Sequence, residues 1–231
     1  PTNVPTGPLR APGANALAFV VQGFLDELAH AAGKDPVAFR LDLLAARRVD
    51  APTDSRGHYY DVARQRAVLQ RVAEMAGWGR PLPRGRGLGV AFHYCHAGYF
   101  AEVAEVSVSR AGVLQVHDVW CCGDVGPIVN RSGAENQVQG AVIDGLSAAW
   151  LQQITIDRGR TVEGNFDRYP ILRIGAAPRV HVEFIESAHP PSGLGEPALP
   201  PLPPAVGNAI FAATGRRIRS LPLTRHDLSW S

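Results

Sequence analysis

The carboxylate with the most unusual sequence surroundings is Glu196, which lies in PPSGLGEPALPPLPPA at residues 190–205. Prolines restrict this backbone along its whole length, while Gly193 and Gly195 free it at two points. A carboxylate that is held still and partly desolvated has a raised pKa and can act as a general base near neutral pH. The alternative is an exposed carboxylate on a proline-rich turn, and the loop alone does not decide between the two.

A second candidate is Gln137, within SGAENQVQGAVIDGLSAAW at residues 132–150, a segment that predicts a helix. Three glycines interrupt this helix, and each costs roughly 1 kcal/mol relative to alanine. We therefore expect another helix or a ligand to approach its backbone closely. Gln137 lies in the first turns, where free N–H groups favour anionic or polar ligand groups. A surface or tertiary hydrogen-bonding role is the alternative for Gln137. Ser132 and Glu135 have the spacing of a capping box at the helix start.

The histidines and cysteines do not form a recognisable metal-binding pattern. Cys95, Cys121 and Cys122 include no C-x-x-C pair, and the histidines form no H-x-E or H-E-x-x-H arrangement. Buried or inert thiols are the expectation. No protein ligand to a metal is predicted, so any iron–sulfur cluster that serves this chain must lie elsewhere.

Composition is typical of a globular protein, with 231 residues that are 45% hydrophobic and 19% charged. The net charge is +2 and the basic residues are scattered, which argues against a nucleic-acid surface. No run of 18 apolar residues predicts a membrane span. The first residue is not methionine, which suggests a processed product or part of a longer polypeptide.

Helical and strand patterns alternate without strict βαβ order or internal repeat, so the predicted fold class is α+β. In the first helix, apolar residues recur at helical spacing from Leu17 to Ala31. A polar, turn-rich connection at 49–60 separates the second helix from the third. We expect a helical portion at residues 1–86 and an α+β portion at residues 87–231. The predicted helices are 15–33, 35–47, 61–77, 132–150 and 204–215, and the predicted strands are 88–94, 99–108, 113–122, 151–157, 160–166 and 178–187.

Several segments in this order resemble the C-terminal part of the molybdopterin-binding subunit of the xanthine dehydrogenase/aldehyde oxidase family. They are GPLRAPGANALAFVVQGFLDELAHAAGKDPVAFRLDLL, QVQGAVIDGLSAAW and PPSGLGEPALPPLPPAVGNAIFAATGRRIRSLPLT. The branch that they resemble most is that of the isoquinoline 1-oxidoreductase β-subunit. The resemblance covers essentially the whole chain and implies the fold of the C-terminal molybdopterin-binding domain of molybdenum hydroxylases.

The resemblance implies a role for individual residues. Glu196 corresponds to the catalytic base, Gln137 to a glutamine that contacts the pterin, and Arg10 to an arginine in a loop beside the metal. Gly195 would allow close approach of the cofactor. Many relatives read R-G-F-G where this chain has Arg10-Ala11-Pro12-Gly13, so the aromatic over the substrate is missing here. Gln139 also stands where many relatives carry glutamate.

The implied reaction is hydroxylation of an aldehyde or N-heteroaromatic substrate, with water as oxygen donor and Glu196 as general base. The implied cofactor is molybdopterin with molybdenum, usually the cytosine dinucleotide form in bacterial relatives, and no protein ligand to the metal. A [2Fe–2S] cluster is expected on a separate subunit. Substrate identity is not predicted, and both bacterial cytoplasm and periplasm remain open.

The family's glycine-rich G-Q-G block, which contacts the cofactor, is absent from this chain. The chain therefore resembles a C-terminal portion that assembles with the rest of the molybdopterin-binding subunit. An alternative is a cofactor-free folded module whose role is that assembly. A third reading is a small-molecule-binding protein without redox chemistry.

Overall fold

The computed structural model describes Val4, residues 6–46 and residues 60–231. Over these ranges the chain mixes helices with two sheets, which confirms the predicted α+β class. The helices are α1 (Ala14–Ala31), α2 (Pro36–Ala46), α3 (Val62–Met75), α4 (Arg131–Trp150) and α5 (Leu202–Thr214). The strands are β1 (Arg86–Cys95), β2 (Gly98–Val108), β3 (Leu114–Asp124), β4 (Ile156–Asp157), β5 (Arg160–Thr161) and β6 (Arg179–Phe184).

The main sheet has the strand order β1-β2-β3-β6. The first three strands form an antiparallel meander, and β6 returns parallel to β3. The turn between β2 and β3 is the predicted one at 109–112, where the φ of Gly112 is 83°. The short β4–β5 hairpin turns through Arg158 and Gly159, as predicted, but its strands are only two residues each.

Helices cover both faces of the main sheet. Val68, Leu69 and Val72 of α3 are fully buried on one face, while α4 and α5 pack on the other. Burial of such side chains contributes roughly 1.5–3 kcal/mol each. The contact between α5 and β1 is unusually close, since a Cβ at Gly89 would lie 2.1 Å from the backbone nitrogen of Ala209. This close packing fixes the helix that directly follows the Glu196 loop.

The helix boundaries follow local capping chemistry. Asp35 accepts hydrogen bonds from the backbone at the start of α2, and Asp61 does the same for α3, as predicted. The capping box predicted for α4 is wrong. Asn130, in an extended conformation, is the N-cap and accepts from Gly133 N at 2.9 Å, so the helix begins before Ser132. The Glu135 side chain instead pairs with Arg131 at 2.7 Å.

Two other sequence predictions have a limited outcome. The division between residues 86 and 87 stays a prediction. In the structure, α3 of the predicted helical portion packs against the sheet of the second portion. The turn-rich connection at 49–60 lies, apart from Tyr60, outside the described residues. Among the helices that the structure describes, none is both long enough and apolar enough to span a bilayer.

An ionisable group lies inside the core, on the α5 side of the sheet. Glu102 of β2 is completely buried, and neither of its carboxyl oxygens has a hydrogen-bond partner among the described residues. Burial raises its pKa well above the ordinary value, and the thiol of Cys121, opposite it on β3, offsets this only in part. Glu102 therefore binds a proton more tightly in the folded protein than in the unfolded chain.

This difference predicts a pH-dependent effect of Glu102→Gln. The pKa of Glu102 is higher in the folded protein than in the unfolded chain. The contribution of Glu102 to the free energy of unfolding of the wild type is therefore largest below the pKa of the unfolded state, and it falls as the pH rises towards the pKa of the folded state. The unfolding free energy of the variant should exceed that of the wild type by a margin that grows by up to about 1.4 kcal/mol per pH unit above pH ~4.5. Urea unfolding between about pH 5 and about pH 8 measures this margin. Glu74→Gln, at an exposed glutamate of α3, is the control, and a margin that does not change with pH would refute the account.

Candidate functional site

Glu196 lies in the loop between β6 and α5, and the structure fixes both of its carboxylate oxygens. Oε1 accepts a hydrogen bond from the backbone N–H of Ala11 at 3.1 Å. Oε2 lies 2.9 Å from Nε2 of His96. The side chain is 35% exposed, so it is partly accessible and not in open solvent. The proline-rich loop thus holds a carboxylate in a defined position with one side open.

Arg10 connects the Glu196 loop to α4. Its Nε donates to the carbonyl oxygen of Gly195 at 2.7 Å, and its Nη2 donates to both the backbone oxygen and the Oε1 of Gln137 at 3.1 Å. Its Nη1 donates to Oδ2 of Asp144 at 2.6 Å. Three segments far apart in sequence, those of Arg10, Gln137 and Glu196, therefore meet at one place. A planar guanidinium with five fixed donors suits such a junction better than lysine does.

Gly140 lies on the face of α4 against which Arg10 packs. Gln137, Gly140 and Asp144 lie three, four and seven residues apart and so share one face of the helix. A Cβ at Gly140 would lie 3.5 Å from Nη1 of Arg10, which is an ordinary van der Waals distance, so the guanidinium lies close to this face of the helix. The close approach predicted for this glycine is made by a side chain of the chain itself. The predicted approach of a ligand remains a prediction.

His96 is the residue near Glu196 that sequence patterns do not reveal. It lies in the tight turn between β1 and β2, a hundred positions from Glu196, and belongs to no motif. An ionised carboxylate can only accept hydrogen bonds, so Nε2 of His96 is the donor in this pair. The adjacent Cys95 thiol is largely buried, and burial, together with the negative charge of Glu196, raises its pKa to about 12. Cys95 is therefore a protonated, inert thiol near neutral pH, as expected from the sequence.

Backbone strain is concentrated around Glu196. Among the described residues, four that are not glycine have a positive φ, namely Ala11, His96, Ala97 and Arg158. The first two contact Glu196 directly, and the third shares the β1–β2 turn with His96. Such conformations cost of order 1–3 kcal/mol each and persist where the surroundings impose them. Here the surroundings place the N–H of Ala11 and the ring of His96 on the same carboxylate.

A hollow of about 370 Å³ lies between the start of α4 and the Glu196 loop. Its walls include Asn130 and Gln137 on the helix side and Ser192 and Leu194 on the loop side. Oε1 of Gln137 accepts a hydrogen bond from Arg10. The NH2 group of the same amide donates to none of the described residues, so it can donate to a ligand. A Cβ at Gly195 would lie 3.9 Å from Oε1 of Gln137, an ordinary van der Waals distance, so this loop position faces Gln137.

The described residues contain no group of three or more histidine, cysteine, aspartate or glutamate side chains placed to hold a metal ion. The polar side chains that border the hollow are the amides of Asn130 and Gln137 and the hydroxyl of Ser192, and the guanidinium of Arg10 lies beside Gln137. These groups suit a polar heterocyclic ligand that hydrogen-bonds, and they do not suit a metal ion bound directly by protein side chains.

Comparison with known proteins places this chain in a family. Residues 15–178 match the molybdopterin cofactor-binding domain. The chain is 37% identical over 219 residues to a protein of Gluconacetobacter polyoxogenes named membrane-bound aldehyde dehydrogenase [pyrroloquinoline-quinone], covering 90% of this chain and 28% of that protein. It is 32% identical to the isoquinoline 1-oxidoreductase subunit beta of Brevundimonas diminuta, covering 93% of this chain and 26% of that protein.

A solved structure supports the fold independently. The aldehyde oxidoreductase of Desulfovibrio desulfuricans aligns with a TM-score of 0.76 at 16% identity, over 93% of this chain and 40% of that chain. The chain thus spans about a quarter of the length of the two relatives above. The resemblance inferred from the sequence segments is confirmed, and this chain belongs to the molybdopterin cofactor-binding domain family.

Proposed function

We propose that the chain is part of a molybdenum hydroxylase that oxidises an aldehyde or an N-heteroaromatic compound, with water as oxygen donor and Glu196 as general base. The observation that carries the proposal is the fixed carboxylate of Glu196 beside the Arg10–Gln137 junction, in a chain of the molybdopterin cofactor-binding domain family. The names of its relatives, an aldehyde dehydrogenase and an isoquinoline oxidoreductase, give the two substrate classes.

Gln137, which borders the hollow, and Gly195 and Arg10, which lie beside it, fit a pterin. The NH2 group of Gln137 can donate to a ring acceptor, and Gly195 lets the ligand approach the loop backbone. Arg10 holds both of these residues in place. Molybdopterin with molybdenum supplies, when bound, a redox centre that takes up the two electrons of the oxidation. We propose the cytosine dinucleotide form and a [2Fe–2S] cluster on a separate subunit as the onward electron acceptor.

The chemical task of the chain is to hold and move one proton. A water-derived oxygen that attacks the substrate carbon must lose its proton, and the carboxylate of Glu196 is placed to receive it. The N–H of Ala11 and the ring of His96 prevent the carboxylate from rotating away, which reduces the entropy cost of reaching the reactive geometry. The open side of the carboxylate is where the reacting oxygen would approach.

A cofactor-free assembly module remains the second candidate, because the G-Q-G block is absent from this sequence. Molybdenum and pyrroloquinoline quinone should both be quantified in the native assembled protein, since one relative carries the quinone in its name. Near-stoichiometric molybdenum together with oxidation of aldehydes or N-heterocycles is the predicted result. A protein with neither molybdenum nor turnover would support the module, and quinone in place of molybdenum would contradict the proposed cofactor.

His96 is predicted to position the base. In the assembled enzyme, His96→Leu should lower turnover about tenfold, because one hydrogen bond is worth roughly 0.5–1.5 kcal/mol and 1.4 kcal/mol is a factor of ten. His96→Gln keeps an N–H donor and should recover most of the loss, with an unchanged molybdenum content in both variants. Equal loss in the two variants would show that the turn, and not the hydrogen bond to Glu196, is what matters.

A further inference from the structure

Helix α1 is amphipathic, but its apolar side faces outwards and its more polar side is buried. Its buried side carries Ala18, Gln22, Asp26 and Ala29. The side chains at the apolar spacing, which the sequence would place in a core, are instead 38–66% exposed. We call these residues the apolar α1 face: Leu17, Val20, Val21, Phe24 and Leu28.

The polar side chains on the inner side of α1 make hydrogen bonds and ion pairs with the rest of the fold, so the polar side of this helix belongs inside. Gln22 accepts from Nε of Arg40 at 3.0 Å, and Asp26 pairs with Arg217 at 2.8 Å. Arg40 is completely buried and lies 3.6 Å from Asp26. Turning α1 to bury its apolar residues would take Asp26 away from Arg40 and Arg217 and leave both cations without their carboxylate partner, which is strongly unfavourable. The outward apolar face is therefore a fixed property of the fold.

The apolar α1 face continues into a groove that leads to the candidate site. A cavity of about 710 Å³ is bordered by Val20 of α1, Ile143 of α4, and Phe166 and Ile171 of the β5–β6 connection. Arg10 also lies on its wall. A continuous apolar surface of this kind is unusual on a free protein and marks a binding surface. Its occupant reaches the arginine that connects the Gln137 helix to the Glu196 loop.

We propose that the apolar α1 face and this groove dock the part of the molybdopterin-binding polypeptide that lies outside these 231 residues. Two relatives carry the matched region as only 28% and 26% of a longer chain, so most of the polypeptide in those proteins lies beyond it. The inference rests on the proposed function, in which this chain is one part of a larger molybdenum hydroxylase. It goes further by naming the surface and by placing the docked polypeptide next to Arg10.

A second copy of this chain fits less well than that polypeptide. Two copies of α1 would cover each other's convex helix face and leave the groove beside Arg10 unfilled. A segment that fills the groove as well as the helix face buries both apolar surfaces together and completes the wall of the candidate site. The groove therefore favours a different polypeptide surface over a symmetric pairing of two copies.

Photo-cross-linking in cells that produce the whole native protein tests the proposal. Phe24→p-benzoylphenylalanine probes the apolar α1 face, and the same substitution at Val113, an exposed apolar residue of the β2–β3 turn, is the matched control. We expect cross-links from position 24 to peptides of the molybdopterin-binding polypeptide outside residues 1–231. Cross-links to a second copy of residues 1–231 or to lipid would overturn the proposal. A cross-link yield at position 24 that does not exceed the yield at position 113 would also overturn it.

A pair of serine variants gives a second measurement. Val21→Ser with Phe24→Ser should lower the yield of assembled protein about tenfold, because the two truncations together remove apolar contacts at the centre of the proposed interface and tenfold corresponds to about 1.4 kcal/mol. Val113→Ser should leave the yield unchanged. Molybdenum content is measured in parallel. If the predicted cross-links form but the protein contains no molybdenum, the interface is supported and the proposed function is rejected. If molybdenum content and turnover are normal but the cross-links do not form, the interface alone is rejected.

Discussion

Glu196→Gln is expected to leave the assembled protein folded and loaded with molybdenum while turnover falls by about 10²–10⁴-fold, the usual contribution of a general base. The amide oxygen of glutamine can still accept from Ala11 N, so the loop keeps its position. The amide cannot accept the proton that the attacking oxygen must lose. Steady-state kinetics with an aldehyde and an N-heterocycle, together with metal analysis, measure both parts of the prediction.

Two further variants sharpen this result. Glu196→Asp keeps the charge but shortens the side chain by one methylene, so it should also lose most of its turnover, because a displacement of about 1 Å can cost 10²-fold. Glu74→Gln, at an exposed glutamate of α3, should behave as the wild type. Normal turnover of Glu196→Gln with full molybdenum content would remove Glu196 from the role of base.

Arg10→Ala should have the second largest effect, because one guanidinium holds Gly195, Gln137 and Asp144 together. Without it, the loop carbonyl and the amide lose their shared donor, and Glu196 is no longer held in a single position. We expect turnover to fall by about 10²-fold and the molybdenum content to fall with it. Arg10→Lys should rescue little, since an ammonium group does not match four acceptor atoms in a fork geometry.

Hydrogen exchange separates this effect from general unfolding. The segment at residues 190–197 should exchange faster in Arg10→Ala, while β2 and β3 keep their protection. Arg71→Ala, at an exposed arginine that pairs with Glu74 and Glu183, is the matched control and should change neither quantity. Unchanged exchange at 190–197 and unchanged metal content would contradict the role of Arg10 as the junction.

The local parts of the fold could be predicted because they depend on short-range chemistry. Asp35 and Asp61 cap α2 and α3, and the glycines at 33, 77 and 215 end their helices, each with a positive φ. The apolar periodicity of α1 predicted a helix correctly. Periodicity cannot show which side of a helix has a partner, however, and here the polar side lies inside because buried arginines need Gln22 and Asp26.

The site could be predicted in part for the same reason. Glu196 has unusual neighbours in the sequence, and resemblance to a family pointed to Arg10 and Gln137. The structure places these residues together, while their chemical roles stay proposals. His96 and Asp144 were missed, because their contacts join segments that only the folded chain brings together. Asn130 was missed as a cap because Ser132 offered an equally good pattern two residues later.

Anomalous X-ray diffraction at the molybdenum edge, from crystals of the native assembled protein, tests the central claim most directly. We expect a molybdenum peak at the open side of the Glu196 carboxylate, with pterin density in the hollow that Gln137 borders. A molybdenum peak remote from both residues, or a fully active protein without any molybdenum peak, would contradict it.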